Sequence, residues 1–172
     1  KYFEEPKFHL PNCSMRMDNL RASILRPQLK IIDKNIERWN KRYTTIASRL
    51  SKIKSIYLPK RANQEKYVGS SLQFLTPDTW LDVDCIKFLE FCKARGVEVK
   101  WFGNLDPVGY TSRYESWKYI KTQTIPRIKK ISKRLMDIRI PLTFSIKDCR
   151  IISKIITEEI LAVSTVPEEK SG

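Results

Sequence analysis

Glycine is scarce in this chain, with five in 172 residues. None of them falls in a G-x-G-x-x-G or G-x-x-x-x-G-K pattern, so the sequence offers no loop for cradling phosphates. Histidine is scarcer: His9 stands alone in a proline-flanked lead-in and makes a poor general base. The four cysteines are Cys13, Cys85, Cys92 and Cys149, and no two have the two-residue gap of a zinc knuckle or redox pair. One histidine cannot complete a zinc set, so no metal site is expected. Reduced thiols in a cytoplasmic protein are the reading on compartment grounds. No apolar run approaches the ~20 residues that span a bilayer. The start, Lys1-Tyr2-Phe3-Glu4-Glu5-Pro6, has acids and a proline where a secretory signal needs an apolar core. A membrane partner is therefore not expected. The first residue is Lys1 rather than Met, which suggests a trimmed or proteolysed product or an incomplete reading frame.

What the chain has in excess is positive charge, +14 overall. That favours acidic partners such as nucleic acid. The cations are nevertheless spread along the chain, with no block of five or six like charges. The densest stretch holds Lys121, Arg127, Lys129, Lys130, Lys133, Arg134 and Arg139. Read as a helix, it puts these on the solvent side and Ile128, Ile131, Leu135 and Ile138 on an apolar stripe. A solvated helix face is preferred to a nucleic-acid patch. At 41% apolar and 30% charged residues, the composition is that of a soluble globular protein of about one domain.

Residues 1–15 read as an extended lead-in, because Pro6 and Pro11 push their predecessors out of helical geometry. A long amphipathic helix is expected over 16–54, capped by Asp18 or Ser14. Leu20, Ile24, Ile32, Ile36, Trp39, Tyr43, Ile46, Leu50 and Ile53 recur at three- and four-residue steps, with Gln28 on the same stripe. Pro27 should kink or restart it. A helix of that length suits a bridge between domains or a subunit interface.

Residues 55–162 read as a small α+β domain. Strands are expected at 55–59, 70–75, 97–102 and 138–142, and helices at 82–95, 125–137 and from about 146. Gly96 is placed to end one helix, and Ser145 with Asp148 resembles a capping box at the start of another. The tail, 163–172, is expected to be frayed. The order of elements gives a small mixed or antiparallel sheet packed with helices, behind a long interdomain helix. Read from the residues alone, the chain is a basic α+β domain with a protruding amphipathic helix and no catalytic set.

Four segments carry a resemblance. Ser14-Met15-Arg16-Met17-Asp18-Asn19-Leu20-Arg21-Ala22, followed by Arg26-Pro27-Gln28-Leu29, resembles the run "N-x-R-M-(D/T)-x-(L/I)-x-A-A…Q-L" of the DegT-type sugar aminotransferases. Lys93-Ala94-Arg95-Gly96-Val97-Glu98 is similar to the helix-to-strand turn of that family. Ile125-Pro126 and Arg139-Ile140-Pro141-Leu142-Thr143-Phe144-Ser145 are similar to its closing portion. The four occur in the family's order, from about Pro11 to Ile160.

The resemblance implies the C-terminal small domain of a fold-type-I, pyridoxal-phosphate-dependent aminotransferase. The complete enzyme would move an amino group onto a keto-sugar nucleotide. The family's catalytic lysine, pyridine-facing aspartate and stacking aromatic have no counterpart in these residues. The chain alone is therefore expected to be catalytically incomplete, with no covalently bound cofactor. The family's phosphate-contacting asparagine aligns with Ser14, while an asparagine stands two residues earlier at Asn12; with Arg16 these are the candidate cofactor contacts. Arg16 has an equal alternative as a helix-start ion pair. Tyr110, Arg113 and Tyr114, in a loop with Thr111 and Ser112, match the region that approaches the nucleotide-sugar substrate. Expected partners are the missing large domain, a neighbouring subunit and a second copy through the long helix. The other readings are a basic module binding nucleic acid or an acidic partner, with nucleic acid disfavoured, and a non-catalytic association domain.

Overall fold

Asp18 caps the first described helix. In a computed structural model, which describes residues 17–62, 64–104, 115, 121 and 123–165, its carboxylate accepts a 2.8 Å hydrogen bond from the Arg21 backbone N–H. That interaction satisfies one of the free donors at a helix start. Helix α1 follows over Asn19–Leu29, and α2 over Ile32–Leu50. The helix expected over 16–54 is thus two, and the expected restart falls just beyond Pro27. Pro27 sits inside α1, and the ladder fails three residues later, where Lys30 and Ile31 donate in tight turns to Pro27 and Gln28. Their surroundings differ sharply. Helix α1 buries no residue, whereas α2 buries Tyr43, Ile46 and Leu50.

The sheet has three antiparallel strands: β1 (Ser71–Leu75), β2 (Lys100–Trp101) and β3 (Leu135–Arg139), in the order β1-β3-β2. Helix α3 (Asp82–Ala94) joins β1 to β2, and α4 (Pro126–Ser132) precedes β3. The last helix, α5, runs over Ile146–Thr165, into the segment expected to fray. Leu72 pairs with Ile138, and Phe74 with Met136, which in turn pairs with Trp101. Directly paired residues share a face. These five therefore form one apolar face, which α2, α3 and α5 cover with Ile46, Leu50, Phe88, Cys92, Ile156 and Ile160. Phe88 meets Phe74 edge-on at 6.3 Å and Trp80 at 5.6 Å. Truncating either fully buried phenylalanine to alanine should cost about 3–5 kcal/mol.

Local chemistry sets the element ends. Gly96 adopts φ 78, the left-handed geometry that stops α3. Asp84 accepts from the Leu81 backbone N–H at 2.8 Å, so α3 starts with the carboxylate half of a capping box. The Ser145–Asp148 box forms in full: the Ser145 N–H donates to the Asp148 carboxylate at 2.7 Å, and the Asp148 N–H donates to the Ser145 hydroxyl at 3.1 Å.

Several expected elements differ in extent: the strand expected over 97–102 narrows to Lys100–Trp101, and that over 138–142 begins at Leu135 and ends at Arg139. The helix expected over 125–137 ends at Ser132, and Leu135 to Ile138 belong to β3. Ile128 and Ile131 are consequently 45% and 41% exposed rather than part of a buried stripe. Pairing with β1 on one side and β2 on the other outweighs the helical spacing of the isoleucines. The strand expected at 55–59 reduces to one bridge, in which Tyr57 exchanges two backbone hydrogen bonds with Leu75 at 3.1 and 2.8 Å. Pro59 has no N–H to extend it.

Candidate functional site

The six residues expected to touch cofactor or substrate, Asn12, Ser14, Arg16, Tyr110, Arg113 and Tyr114, lie outside the described residues. What the structure places is the framework at the borders of those two segments. The first segment runs directly into α1, where Arg21 also pairs with Asp18 at 2.9 Å. The apolar side of α1 is open: Leu20 is 71% and Ile24 56% exposed. At the α1–α2 break, Met17, Leu25, Leu29, Ile32 and Trp39 line a hollow of about 480 Å³.

The second segment leaves from β2 through a tightly made corner. The Trp101 indole N–H donates to the Lys133 carbonyl at 2.7 Å, and the Phe102 N–H donates to Leu135 at 3.0 Å. Gly103 lies against the same indole: a β-carbon there would sit 2.3 Å from a ring carbon, so only glycine fits without moving the ring. On the far side of the segment, Glu115 meets Lys129 of α4 at 3.8 Å. Both borders of the loop are thus tied to the β2–α4 side of the domain.

The sheet's second face carries polar groups beside the Leu75–Leu135 pair. Gln73, Asp137 and Lys100 form one cross-strand row, and Ser71 with Arg139 forms the next. Asp137 is 4% exposed and faces the Arg139 guanidinium at 3.7 Å. The three long helices pack on the opposite side, so these polar groups lie on the face that no long helix covers. The sequence carried a signal for this face in the alternation Val97-Glu98-Val99-Lys100 and Asp137-Ile138-Arg139-Ile140. The helix expected over 125–137 takes in Asp137 and so hides the start of that alternation.

Reactive groups are few among the described residues. Burial pushes the Cys85 thiol up to about 11 and the Cys92 thiol up to about 12, so neither supplies a thiolate nucleophile near neutrality. No group of three or more metal-ligating side chains occurs among the described residues. One cavity, of about 300 Å³, combines a ring, a lysine and a carboxylate: Tyr43, Lys60 and Glu65. There the Arg61 guanidinium already lies 5.2 Å over the Tyr43 ring and 4.1 Å over that of Tyr67, while pairing with Glu65 at 2.5 Å. A pyridine stacking on the ring faces that Arg61 covers would have to displace that guanidinium.

Comparison with known proteins gives the architecture a context. No curated protein sequence matches the chain. Among solved structures, the aminotransferase TlmJ from Streptoalloteichus hindustanus superposes with a TM-score of 0.68 at 13% identity, covering 84% of this chain and 36% of TlmJ. The 3-amino-5-hydroxybenzoic acid synthase gives 0.66 at 15% identity, covering 87% of this chain and 40% of the synthase. DesI, solved in the presence of its TDP-sugar product, gives 0.63 at 10% identity, covering 87% of this chain and 36% of DesI. At such identities the likeness shows the fold, and the chain spans well under half the length of each of these structures. Among the described residues no helix is long and apolar enough to cross a membrane. The sequence matches the family profile of the DegT/DnrJ/EryC1/StrS aminotransferases over residues 2–156, and the chain belongs to that family.

Proposed function

We propose that this chain is the C-terminal small-domain portion of a pyridoxal-phosphate-dependent aminotransferase acting on a keto-sugar nucleotide. In this reading 16–54 is the interdomain connection, 55–162 the small domain, and 1–15 and 163–172 its extended lead-in and tail. The observation that carries it is the fraction of each relative that the chain matches, 36% of TlmJ and 40% of the synthase, together with a family match over nearly the whole chain. The apolar side of α1 supports it further, since an exposed stripe of that kind is covered in a working assembly. A large domain and a second subunit are the coverings this reading assigns.

In the complete enzyme the cofactor supplies the electron sink for moving an amino group, held by a lysine outside this chain. Asn12, Ser14 and Arg16 are assigned to the cofactor phosphate across the subunit boundary. Tyr110, Arg113 and Tyr114 are assigned to the nucleotide-sugar, with Arg113 matching a phosphate through its planar fork. The Gly103 corner and the Glu115–Lys129 contact hold the borders of that loop. The polar sheet face, with Lys100 and Arg139, is assigned to the cleft between domains. The three described cysteines, Cys85, Cys92 and Cys149, are buried and free, which is in keeping with a cytoplasmic enzyme.

The test is to incubate the purified chain with pyridoxal phosphate, reduce with borohydride and map modified lysines by mass spectrometry. Scattered substoichiometric labelling is expected. One stoichiometric lysine would overturn the assignment of the catalytic lysine to a separate domain. Loss of amino transfer when Arg113→Ala is introduced into the complete enzyme, with cofactor retained, would support the substrate role; unchanged KM and kcat would remove it.

A further inference from the structure

A different surface is built for an anion. On the helical side of the domain, opposite the polar sheet face, α2 and α5 leave an open groove of about 640 Å³. Its lining includes three cations, Lys41, Arg49 and Arg150, and the hydroxyl groups of Thr44, Thr45 and Ser48. Ser153, 1% exposed, adds a buried hydroxyl. The lining contains no carboxylate.

The cations of the groove are set apart from their neighbours. Arg42, one residue from Lys41, is committed: it donates to the Phe144 carbonyl at 2.7 Å, to Leu142 at 3.1 Å and to Arg38 at 2.8 Å. Arg95 is committed to Glu158 and Glu159. Lys41, Arg49 and Arg150 form no ion pair among the described residues. Glu158, whose proton affinity is lowered chiefly by the Arg95 hydrogen bond, also feels Arg49, and it is already shared with Lys154 at 3.7 Å. Three like charges around one depression repel each other, and a bound anion relieves that repulsion. Of the hydroxyls, Thr45, Ser48 and Ser153 each donate their proton to a backbone carbonyl of their own helix, so the exposed Thr44 hydroxyl is the neutral donor offered to an anion.

We propose that this groove binds a compact oligophosphate of two or more negative charges, at a site separate from the cleft assigned to substrate. A single monovalent anion would leave two of the three cations uncompensated.

The test titrates inorganic pyrophosphate into the chain by calorimetry at ~20 mM and ~200 mM salt, since screening weakens exposed charge pairs. Saturable one-to-one binding that weakens with salt is expected. The double substitution Arg49→Gln/Arg150→Gln should weaken it about tenfold or more, because it removes two charge-assisted contacts. Arg127→Gln/Lys130→Gln removes the same charge from α4 and should leave it within about twofold, because no groove contact is lost. Equal loss in both variants would show a diffuse charge effect and overturn the site. So would binding of a single-stranded oligonucleotide with no response to pyrophosphate. Circular dichroism checks the fold of each variant, and Lys41→Gln gives an independent single-charge test if the arginine double does not fold.

Discussion

Replacing Asn40 with alanine tests how α2 is fastened to the sheet. Its side-chain amide makes two long-range hydrogen bonds: Nδ2 donates to the Tyr67 carbonyl at 3.0 Å, and Oδ1 accepts from the Gly69 N–H at 2.8 Å. Both partners lie in the segment that leads into β1, so one side chain fixes where that strand begins relative to the helix. Each bond is worth about 0.5–1.5 kcal/mol net, and partly buried backbone groups left unpaired add to the loss. Together they give about 2–3 kcal/mol. For a chain of 172 residues that corresponds to a Tm lower by roughly 4–12 °C. Urea denaturation followed by circular dichroism measures the free energy, and a thermal scan measures the midpoint. Asn40→Asp separates the two bonds, since it keeps the acceptor for Gly69 and puts a carboxylate against the Tyr67 carbonyl. That carboxylate favours its protonated form in the fold, so its folded pKa lies above the unfolded value. The variant should therefore be destabilised near neutrality and recover relative to wild type as pH falls through that folded pKa. A loss below about 0.5 kcal/mol for Asn40→Ala, with an unchanged m-value, would refute the role given to the two bonds.

Other outcomes are equally direct. Gly69→Ala should cost about 1–3 kcal/mol by overpacking, because the new β-carbon would lie 2.5 Å from that of Tyr43; denaturant midpoints measure it. Glu158 and Asp148 have depressed pKa values, caused chiefly by hydrogen bonds from Arg95 and Ser145 respectively. Both contribute stability above their unfolded pKa that is lost as pH falls through the lower folded one. Arg95→Gln and Ser145→Ala should each flatten the acid side of a stability-versus-pH curve, and an unchanged curve would remove the linkage. Cys85 and Cys92, 2% and 0% exposed, should react with a thiol reagent only at the rate of opening in native buffer, and fast in urea. Ile24→Glu on the open side of α1 should lower self-association in sedimentation experiments without lowering Tm, since Ile24 is 56% exposed.

The helices that pack against the sheet were legible because their stripes and stop signals agree. Ile46 and Leu50, Gly96, and the Ser145–Asp148 box each act where the sequence placed them. Residues 135–137 misled because Ile128, Ile131, Leu135 and Ile138 keep helical spacing, while the partner that makes Leu135 a strand residue, Leu75, lies sixty positions earlier in β1. No local pattern encodes such a pairing. The open side of α1 was legible as a stripe, yet its exposure follows from what packs nearby and not from its own residues. The groove cations went unremarked for a similar reason: Lys41, Arg49 and Arg150 become neighbours only when α2 and α5 pack. Of the expected contact residues, the sequence supplied identities and the structure supplied only the anchoring around them.

The placement of β3 has a consequence for how the chain acquires its shape. Both β1 and β2 leave the ribosome before the strand that lies between them, and neither pairs with the other. Until residues 135–139 emerge, Leu72, Phe74 and Trp101 have no sheet to join. Sheet formation must therefore wait until β3 has been synthesised, as must the packing of α2 against α5, which follows it in the chain. A ribosome-stalled chain ending before Leu135 should show helix by circular dichroism yet remain protease-sensitive from 71 to 101, and protection there should appear in one step once β3 is free of the exit tunnel.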